Sequence, residues 1–226
     1  MAEDIAAIER RIEQALRAST PTAFGRRLKE VREKQGLSVR NLAERAHLSK
    51  TSIVNLEQGK GCRPVTILKV CAALGLHIER FLPDGNSSQE QEAIVHRQED
   101  DRWFDLNGFG TGPLGGLDRP LNESELDRFH REGVGAQMLM FKSRFPDSDF
   151  IPGIIELTQP TERRSHPGQE FIYVLEGNLA VEVGDKRFEL TAKESMCFDP
   201  NIEHSYQPMN PPDKVSFLCF RLNAGT

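Results

Sequence analysis

The rhythm of apolar residues changes once along these 226 residues, and that change limits the fold more than any other feature of the sequence. Over residues 24–82 the apolar positions recur at helical spacing; from residue 134 onward they alternate as strands do, between clusters of Gly, Pro, Asn and Asp. A helical bundle followed by a β-rich unit satisfies both rhythms, and the chain is long enough for two domains of ordinary size. Charge divides at the same place. Residues 1–82 hold 15 Lys and Arg against 9 Asp and Glu, a balance of +6, while the remainder carries −11. A basic first half points to a polyanion partner, the alternative being a merely solvated helix surface.

Several classes drop out early. Apolar runs such as residues 171–175 fall far short of the roughly 20 residues that cross a bilayer, so no membrane partner is expected. The first eleven residues carry Glu3, Asp4 and Glu9 and lack the basic-then-apolar order of a secretory leader, which implies a cytoplasmic protein. Cys62, Cys71, Cys197 and Cys219 are widely spaced with no C-x-x-C pair, so reduced thiols are expected rather than a disulfide framework or zinc knuckle.

In the basic half, Phe24, Leu28 and Val31 mark one helix face, with Gly36 as its left-handed stop. Ser38 caps a second helix that buries Leu42, Ala43 and Ala46. After a tight turn at His47 and Leu48, Ser49 caps a third helix, ended by Gly59. Pro64 opens a fourth, whose Val65, Leu68, Cys71, Ala72 and Leu74 are expected inside until Gly75, and a short piece at residues 78–82 closes the bundle. Two short helices joined by a tight turn have the helix-turn-helix form, in which the second helix enters the DNA major groove by its N-terminal end.

The stretches RRLKEVREKQGLS, LAERAHLSKTSIVNLEQGK and ILKVCAALGL resemble the bacterial phage-repressor-like (XRE/Cro) DNA-binding domain. That resemblance makes residues 49–57 the recognition helix. Ser49, Lys50, Thr51, Ser52 and Asn55 then face DNA, Lys60 meets a phosphate, and Arg40, Asn41, Arg26 and Arg27 are backbone-contact candidates. The chain departs from the pattern at Val39, where the family usually has Gln, and at His47, where it usually has Gly. Upstream, Ile5, Ile8, Ile12 and Leu16 form a stripe on an N-terminal helix over residues 1–20, either a dimer seam or a face packed on its own domain.

The helix-turn-helix domain is assigned to residues 21–82, the polar segment PDGNSSQEQ lies in a linker and first-strand region over residues 83–98, and a β-domain takes up residues 99–226. A Gly-rich stretch at residues 107–116 reads as a loop, and Asn122 with Glu125 starts a short helix stopped by Gly133. Strands are expected at residues 136–145, 153–158, 170–175, 179–183, 186–190, 195–198 and 215–222, with a hairpin turn at residues 183–186 and His204 on a later strand. Many short antiparallel strands imply a small β-barrel or jelly roll.

His166 and Glu170 stand four residues apart at a turn into a strand, and His204 follows later. Two His and one carboxylate with open positions suit Fe(II) or a similar divalent ion, the alternative being a metal-free pocket in which the three bind an organic ligand or each other. HPGQEFIYVLEG followed by FDPNIEHSY is similar to the two motifs of the cupin superfamily. The fullest cupin pattern has a further His where this chain has Arg164, a cation that cannot ligate and is assigned to an effector pocket, where an anionic ligand would meet it. Lys193 and Glu194 stand where the family usually has Gly-Asp, Glu203 where a Pro often precedes the His, and Pro208 where an Asn often follows.

A helix-turn-helix bundle followed by a cupin β-barrel resembles a group of bacterial transcriptional regulators. The resemblance implies double-stranded DNA as partner, a small-molecule effector in the barrel with a divalent metal as a candidate cofactor, and a homodimer. The architecture also resembles hydroxypropylphosphonate epoxidase, which implies the other reading, a mononuclear iron oxygenase using the same three residues.

Overall fold

The computed structural model describes residues 13, 21–74, 92–108, 113–116, 119–143, 150–166, 168–211 and 213–222. The N-terminal stripe, the piece at 78–82, the linker at 83–91, the middle of the Gly-rich loop and the far end of the 136–145 strand lie outside them. The chain divides into two compact units, Met1–Glu90 with Gly108–Gly116, and Gln91–Asn107 with Leu117–Thr226. Among the described residues no helix is long and apolar enough to cross a membrane.

The first unit holds α1 (Pro21–Lys34), α2 (Val39–Arg45), α3 (Lys50–Glu57) and α4 (Pro64–Ala73). Its core is Phe24, Leu28, Leu37, Leu42, Ala43, Ala46, Ile53, Leu56, Ile67, Val70, Cys71 and Leu74. Leu28, Ile53 and Ile67 are fully buried, each contributing roughly 1.5–3 kcal/mol of transfer free energy. Both short helices start as their sequences require: the Ser38 hydroxyl accepts from Asn41 N–H, and the Ser49 hydroxyl from Ser52 N–H, each at 3.1 Å. α4 buries Cys71 and Leu74 as expected, leaves Leu68 half-buried, and turns the rest of the expected face outward. It buries Thr66, Ile67, Val70 and Cys71, while Val65 and Ala72 are exposed, because Pro64 at the helix start sets the phase and the apolar run TILKVCAA permits either face.

A charged pair sits inside this bundle. Arg32 falls on the α1 stripe, four residues after Leu28, and its guanidinium forks onto Glu57 at the end of α3, with Nε to Oε1 at 2.6 Å and a second nitrogen to Oε2 at 3.1 Å. Its remaining terminal nitrogen donates to Leu37 O at 2.7 Å, and the two side chains keep 7% and 8% exposure. Beside this pair α1 crosses α3 at Gly25, where a Cβ would lie 2.3 Å from Leu56 O. Only glycine permits that approach.

The second unit is a two-sheet jelly roll. Strands β1 (Trp103–Asp105), β2 (Ala136–Met140), β3 (Phe150–Leu157), β4 (Gln169–Glu176), β5 (Asn178–Val183), β6 (Lys186–Thr191), β7 (Ser195–Phe198), β8 (His204–Pro208) and β9 (Val215–Leu222) form a six-stranded sheet of order β1-β2-β3-β9-β4-β7 and a three-stranded sheet of order β6-β5-β8. The first strand expected within residues 83–98 is absent from their described part, residues 92–98, and runs instead at β1, only three residues long; the strand expected to carry His204 is β8. All the pairs are antiparallel, and Val183 opposite Lys186 closes the expected hairpin. Ile172, Val174, Leu179, Val181, Val215, Phe217 and Cys219 meet between the sheets in the core. The helix α5 (Glu123–Arg131) has the expected capping box between Asn122 and Glu125.

Candidate nucleic-acid interface and candidate metal centre

α3 presents one polar and one apolar side. Ile53 and Leu56 are buried; Lys50 and Thr51 are exposed, Ser52 and Asn55 partly so, and Ser49 and Lys60 stand exposed at either end. Ser49 and Ser52 share a 2.8 Å hydroxyl hydrogen bond, so the first turn of the helix is already organised without a ligand. On α2, Arg40 and Asn41 are exposed, and Arg40 pairs with Glu44 at 2.9 Å, a surface contact that phosphate can replace at little cost. His47 takes φ 52°, the left-handed conformation, at the position where its resemblance pattern has glycine. Sequence reasoning passed over Arg32 and Glu57, which anchor the far end of the presented helix. A charge in phase with Phe24 and Leu28 was the signal available.

In the β unit the three expected residues come together. Glu170 projects inward from β4, His204 inward from β8 on the opposite sheet, and His166 arrives on the segment leading into β4, where its N–H donates to Pro200 O at 2.8 Å. One ligating atom from each lies within 4.8 Å of the others. Glu170 is 2% and His204 4% exposed.

The two oxygens of Glu170 have different surroundings. Oε1 accepts from the Tyr206 hydroxyl and from the Cys219 thiol, the latter at 3.1 Å. Oε2 lies 2.9 Å from His166 Nε2 and 3.7 Å from His204 Nε2, yet no hydrogen is aligned on it and it is buried without a donor. His204 Nδ1 lies 3.0 Å from Ile202 O; a carbonyl only accepts, so Nδ1 carries a hydrogen, and in the neutral ring the Nε2 lone pair faces Oε2. A lone pair and a carboxylate oxygen facing each other in a buried space call for a cation between them, so these residues fit a divalent ion.

Protonation states agree with that donor set. Burial alone would raise the Glu170 carboxyl, but neighbouring His166 and the positive potential of Arg221 and His204 outweigh it and hold it at about 2. Burial, then the Arg221 charge, lowers His166 below the ordinary histidine value against the pull of Glu170. Burial pushes the Tyr206 hydroxyl and Cys219 thiol well above their usual ranges, and the Glu170 charge adds to it, so both remain donors. Tyr206 and Cys219 were missed in the sequence. Tyr206 lies two residues beyond His204, on the same strand face, which is the signal that could have found it.

Arg164 is placed differently from the triad. Its guanidinium donates to Leu106 O at 2.9 Å and Asn107 O at 3.2 Å and pairs with Glu162 at 3.1 Å, while its backbone bridges to His204. These bonds tie the β1 end to the strand that carries His204. Lys193, where the cupin pattern has glycine, takes φ 74° in the turn between β6 and β7.

Residues 23–81 match the family model described as a helix-turn-helix domain, and residues 155–219 match the model described as a cupin domain. The chain is thus a helix-turn-helix domain followed by a cupin domain. It is 26% identical over 189 residues, 81% of this chain and 86% of the relative, to the HTH-type transcriptional regulator PuuR of Escherichia coli (strain K12). Among solved structures it is similar to an HTH_3 family transcriptional regulator from Vibrio cholerae, at 18% identity and TM-score 0.45 over 91% of this chain and 97% of that one. It is also similar to hydroxypropylphosphonic acid epoxidase from S. wedmorenis, at 16% identity and TM-score 0.43 over 90% and 99%.

Proposed function

We propose that this protein is a DNA-binding transcriptional regulator whose cupin unit senses a small molecule at a metal centre, and that it works as a homodimer. The α3 surface carries the reading: a short, well-capped helix presents Lys50, Thr51, Ser52 and Asn55 on a segment of charge +6, and is held from beneath by Ile53, Leu56 and the Arg32–Glu57 pair. Asn55 and Ser52 serve as base-edge readers, with Lys60, Arg40 and Asn41 on phosphates. Two such helices one helical turn apart require two copies of the chain. Similarity to PuuR, itself a transcriptional regulator by name, supports the same reading.

In the cupin unit, His166, Glu170 and His204 would hold the ion, Glu170 through Oε2 alone, since Tyr206 and Cys219 occupy Oε1. When bound, a divalent ion of the Fe(II) kind supplies a Lewis-acid face with open positions, on which a small molecule is recognised. The protein's part is to fix the His204 tautomer through Ile202 O and to keep Glu170 ionised. An effector shifts DNA binding only to the extent that it binds one arrangement of the two copies more tightly than another.

DNA binding measured across a salt series, with DNA flanking the protein's own gene and an unrelated duplex as competitor, tests the regulator. Asn55→Ala should reduce specific binding by about 1–3 kcal/mol, and Lys60→Ala should weaken all duplexes alike and lower the salt slope by about one unit. Only weak, sequence-blind binding by the parent, unchanged in both variants, defeats this reading and leaves the oxygenase. For the metal, Co(II) added to chelator-treated protein should bind at one ion per chain and fail to bind His204→Ala; equal uptake by both rejects the centre.

A further inference from the structure

Arg221 acts on Glu170 and His166 only through its charge, and its surroundings are unusual. It lies in phase with Val215, Phe217 and Cys219, the positions of β9 that face the space between the sheets, and it stands directly across the β4–β9 pair from Glu170. Its Nε is buried with no hydrogen-bond acceptor. Glu170 does not supply one, since the groups paired with that carboxylate are His166, His204, Tyr206 and Cys219. Other guanidiniums of this unit are committed: Arg119 to Glu125, Arg163 to Glu182 and Gly184 O, Arg164 to two carbonyls and Glu162, Arg187 to Glu182 and Glu189. Among the described residues Arg221 forms no ion pair.

A buried donor of a charged group without an acceptor costs free energy, and folded chains keep such a group mainly where something else supplies the acceptor. Arg221 as a residue is only partly buried, so a ligand would meet the end of its side chain beyond the buried Nε. The neighbouring chemistry narrows what reaches it. A guanidinium offers a planar fork of N–H donors, which a carboxylate matches with two parallel hydrogen bonds, and one cation balances one carboxylate. Phe198 and Tyr206, packed edge-on around His204, give the surroundings an apolar side suited to the carbon skeleton of a small organic acid.

We infer that Arg221 is the anion-binding residue of the ligand site in the cupin unit, and that the ligand is a small organic molecule bearing a carboxylate. Its carboxylate lies on the Arg221 fork and its skeleton runs toward the His166, Glu170 and His204 cluster. A purely cationic effector, such as an amine, is disfavoured by Arg221 at the same place. This assignment rests on the sensing role proposed above but not on the metal.

Calorimetric titration of the full chain decides it, with oxalate, pyruvate and succinate as carboxylate probes, n-propylamine as the cationic control and inorganic phosphate as the other oxyanion. Each is titrated into chelator-treated protein and into protein supplied with Co(II). At least one carboxylate should bind the parent, with affinity reduced roughly ten- to hundredfold in Arg221→Gln and less in Arg221→Lys, which keeps the charge and loses the fork. Far-UV circular dichroism confirms the fold of each variant, and Arg221→Lys serves alone if Arg221→Gln fails to fold. Equal carboxylate binding by parent and folded variant overturns the inference, as does binding of phosphate or the amine alone, or of no carboxylate at all. Failure of the parent to take up Co(II), with carboxylate binding still dependent on Arg221, overturns the metal reading and leaves this one standing.

Discussion

Each unit of this protein buries a glutamate, and the two are treated oppositely. In the helical unit both oxygens of Glu57 are occupied by the Arg32 fork, and Leu37 O accepts another donor of the same guanidinium, so nothing is left over for a ligand. In the cupin unit one oxygen of Glu170 is capped by a phenol and a thiol, while the other is buried facing imidazole nitrogens with no hydrogen aligned on it. The first arrangement is closed and holds a fold together. The second is open on one side and belongs to the proposed metal centre. Burial of a charge therefore says little about function until every lone pair and every hydrogen around it has been assigned.

The sharpest way to break the comparison is to remove each carboxylate. Glu57→Ala leaves the Arg32 charge buried without its partner and should destabilise the helical unit by about 3–5 kcal/mol in denaturant unfolding, with DNA binding lost and Co(II) binding retained. Glu170→Gln should do the reverse, abolishing Co(II) binding in calorimetry while DNA affinity in the absence of effector is kept. If Glu170→Gln also loses DNA binding, or Glu57→Ala leaves stability unchanged, the two carboxylates do not differ as described.

A smaller effect separates the capped oxygen from the open one. Tyr206→Phe removes a donor to Oε1 without touching a ligating atom, and Co(II) affinity should fall by roughly ten- to hundredfold, the range usual for partners that orient a ligand. An unchanged affinity in Tyr206→Phe would mean that Oε1 needs no anchoring.

Acid gives a third contrast. The folded Glu170 titrates at about 2 against an ordinary 4.5, so the unfolded chain takes up the proton first. Its stabilising contribution is complete above pH 4.5 and is lost as pH falls from there toward 2. Trp103, the single tryptophan and a β1 residue, reports the cupin unit in fluorescence, and its signal in metal-free protein should fall within that window. A Trp103 transition complete above pH 4.5 contradicts the assignment.

The smallest expected effects come from backbone strain. His47 and Lys193 are the two non-glycine residues at positive φ among those described, and each occupies a place where the resembling family has glycine. The left-handed conformation costs roughly 1–2 kcal/mol for a side chain, and glycine's extra unfolded freedom returns roughly 0.5–1 of it, so His47→Gly and Lys193→Gly should each stabilise by about 0.5–1 kcal/mol in thermal unfolding. The gain should appear in opposite units, which ties each turn to its own domain.

Much of both folds is legible in the chain because it rests on local rules. Serines placed before helices cap them, Gly36 and Gly59 stop them, and Gly184 turns a hairpin whose flanking residues alternate. The α4 face was partly misjudged because a nearly continuous apolar stretch has no periodic contrast, and β1 was misplaced because three residues show no alternation. His166, Glu170 and His204 were found through a motif resemblance. Their partners escaped: Tyr206 and Cys219 lie 36 and 49 residues from Glu170, and only strand order brings them to it. Arg32 and Arg221 were visible as charges in buried phase, one on a helix and one on a strand, but phase alone cannot say what each one meets.

The sequence by itself determined the two domains, their order, the charge that divides them and the short capped helix with one polar side, since periodicity, capping and net charge act over a few residues at a time. The tertiary structure decided which oxygen of Glu170 is capped, which imidazole nitrogen faces it, that Arg164 is bound to carbonyls and that Arg221 is not. Those outcomes depend on the register of β4 against β9 and on the packing of β8 across from them. Hydrogen bonds and ion pairs are set within a few tenths of an ångström, a precision that only long-range packing provides.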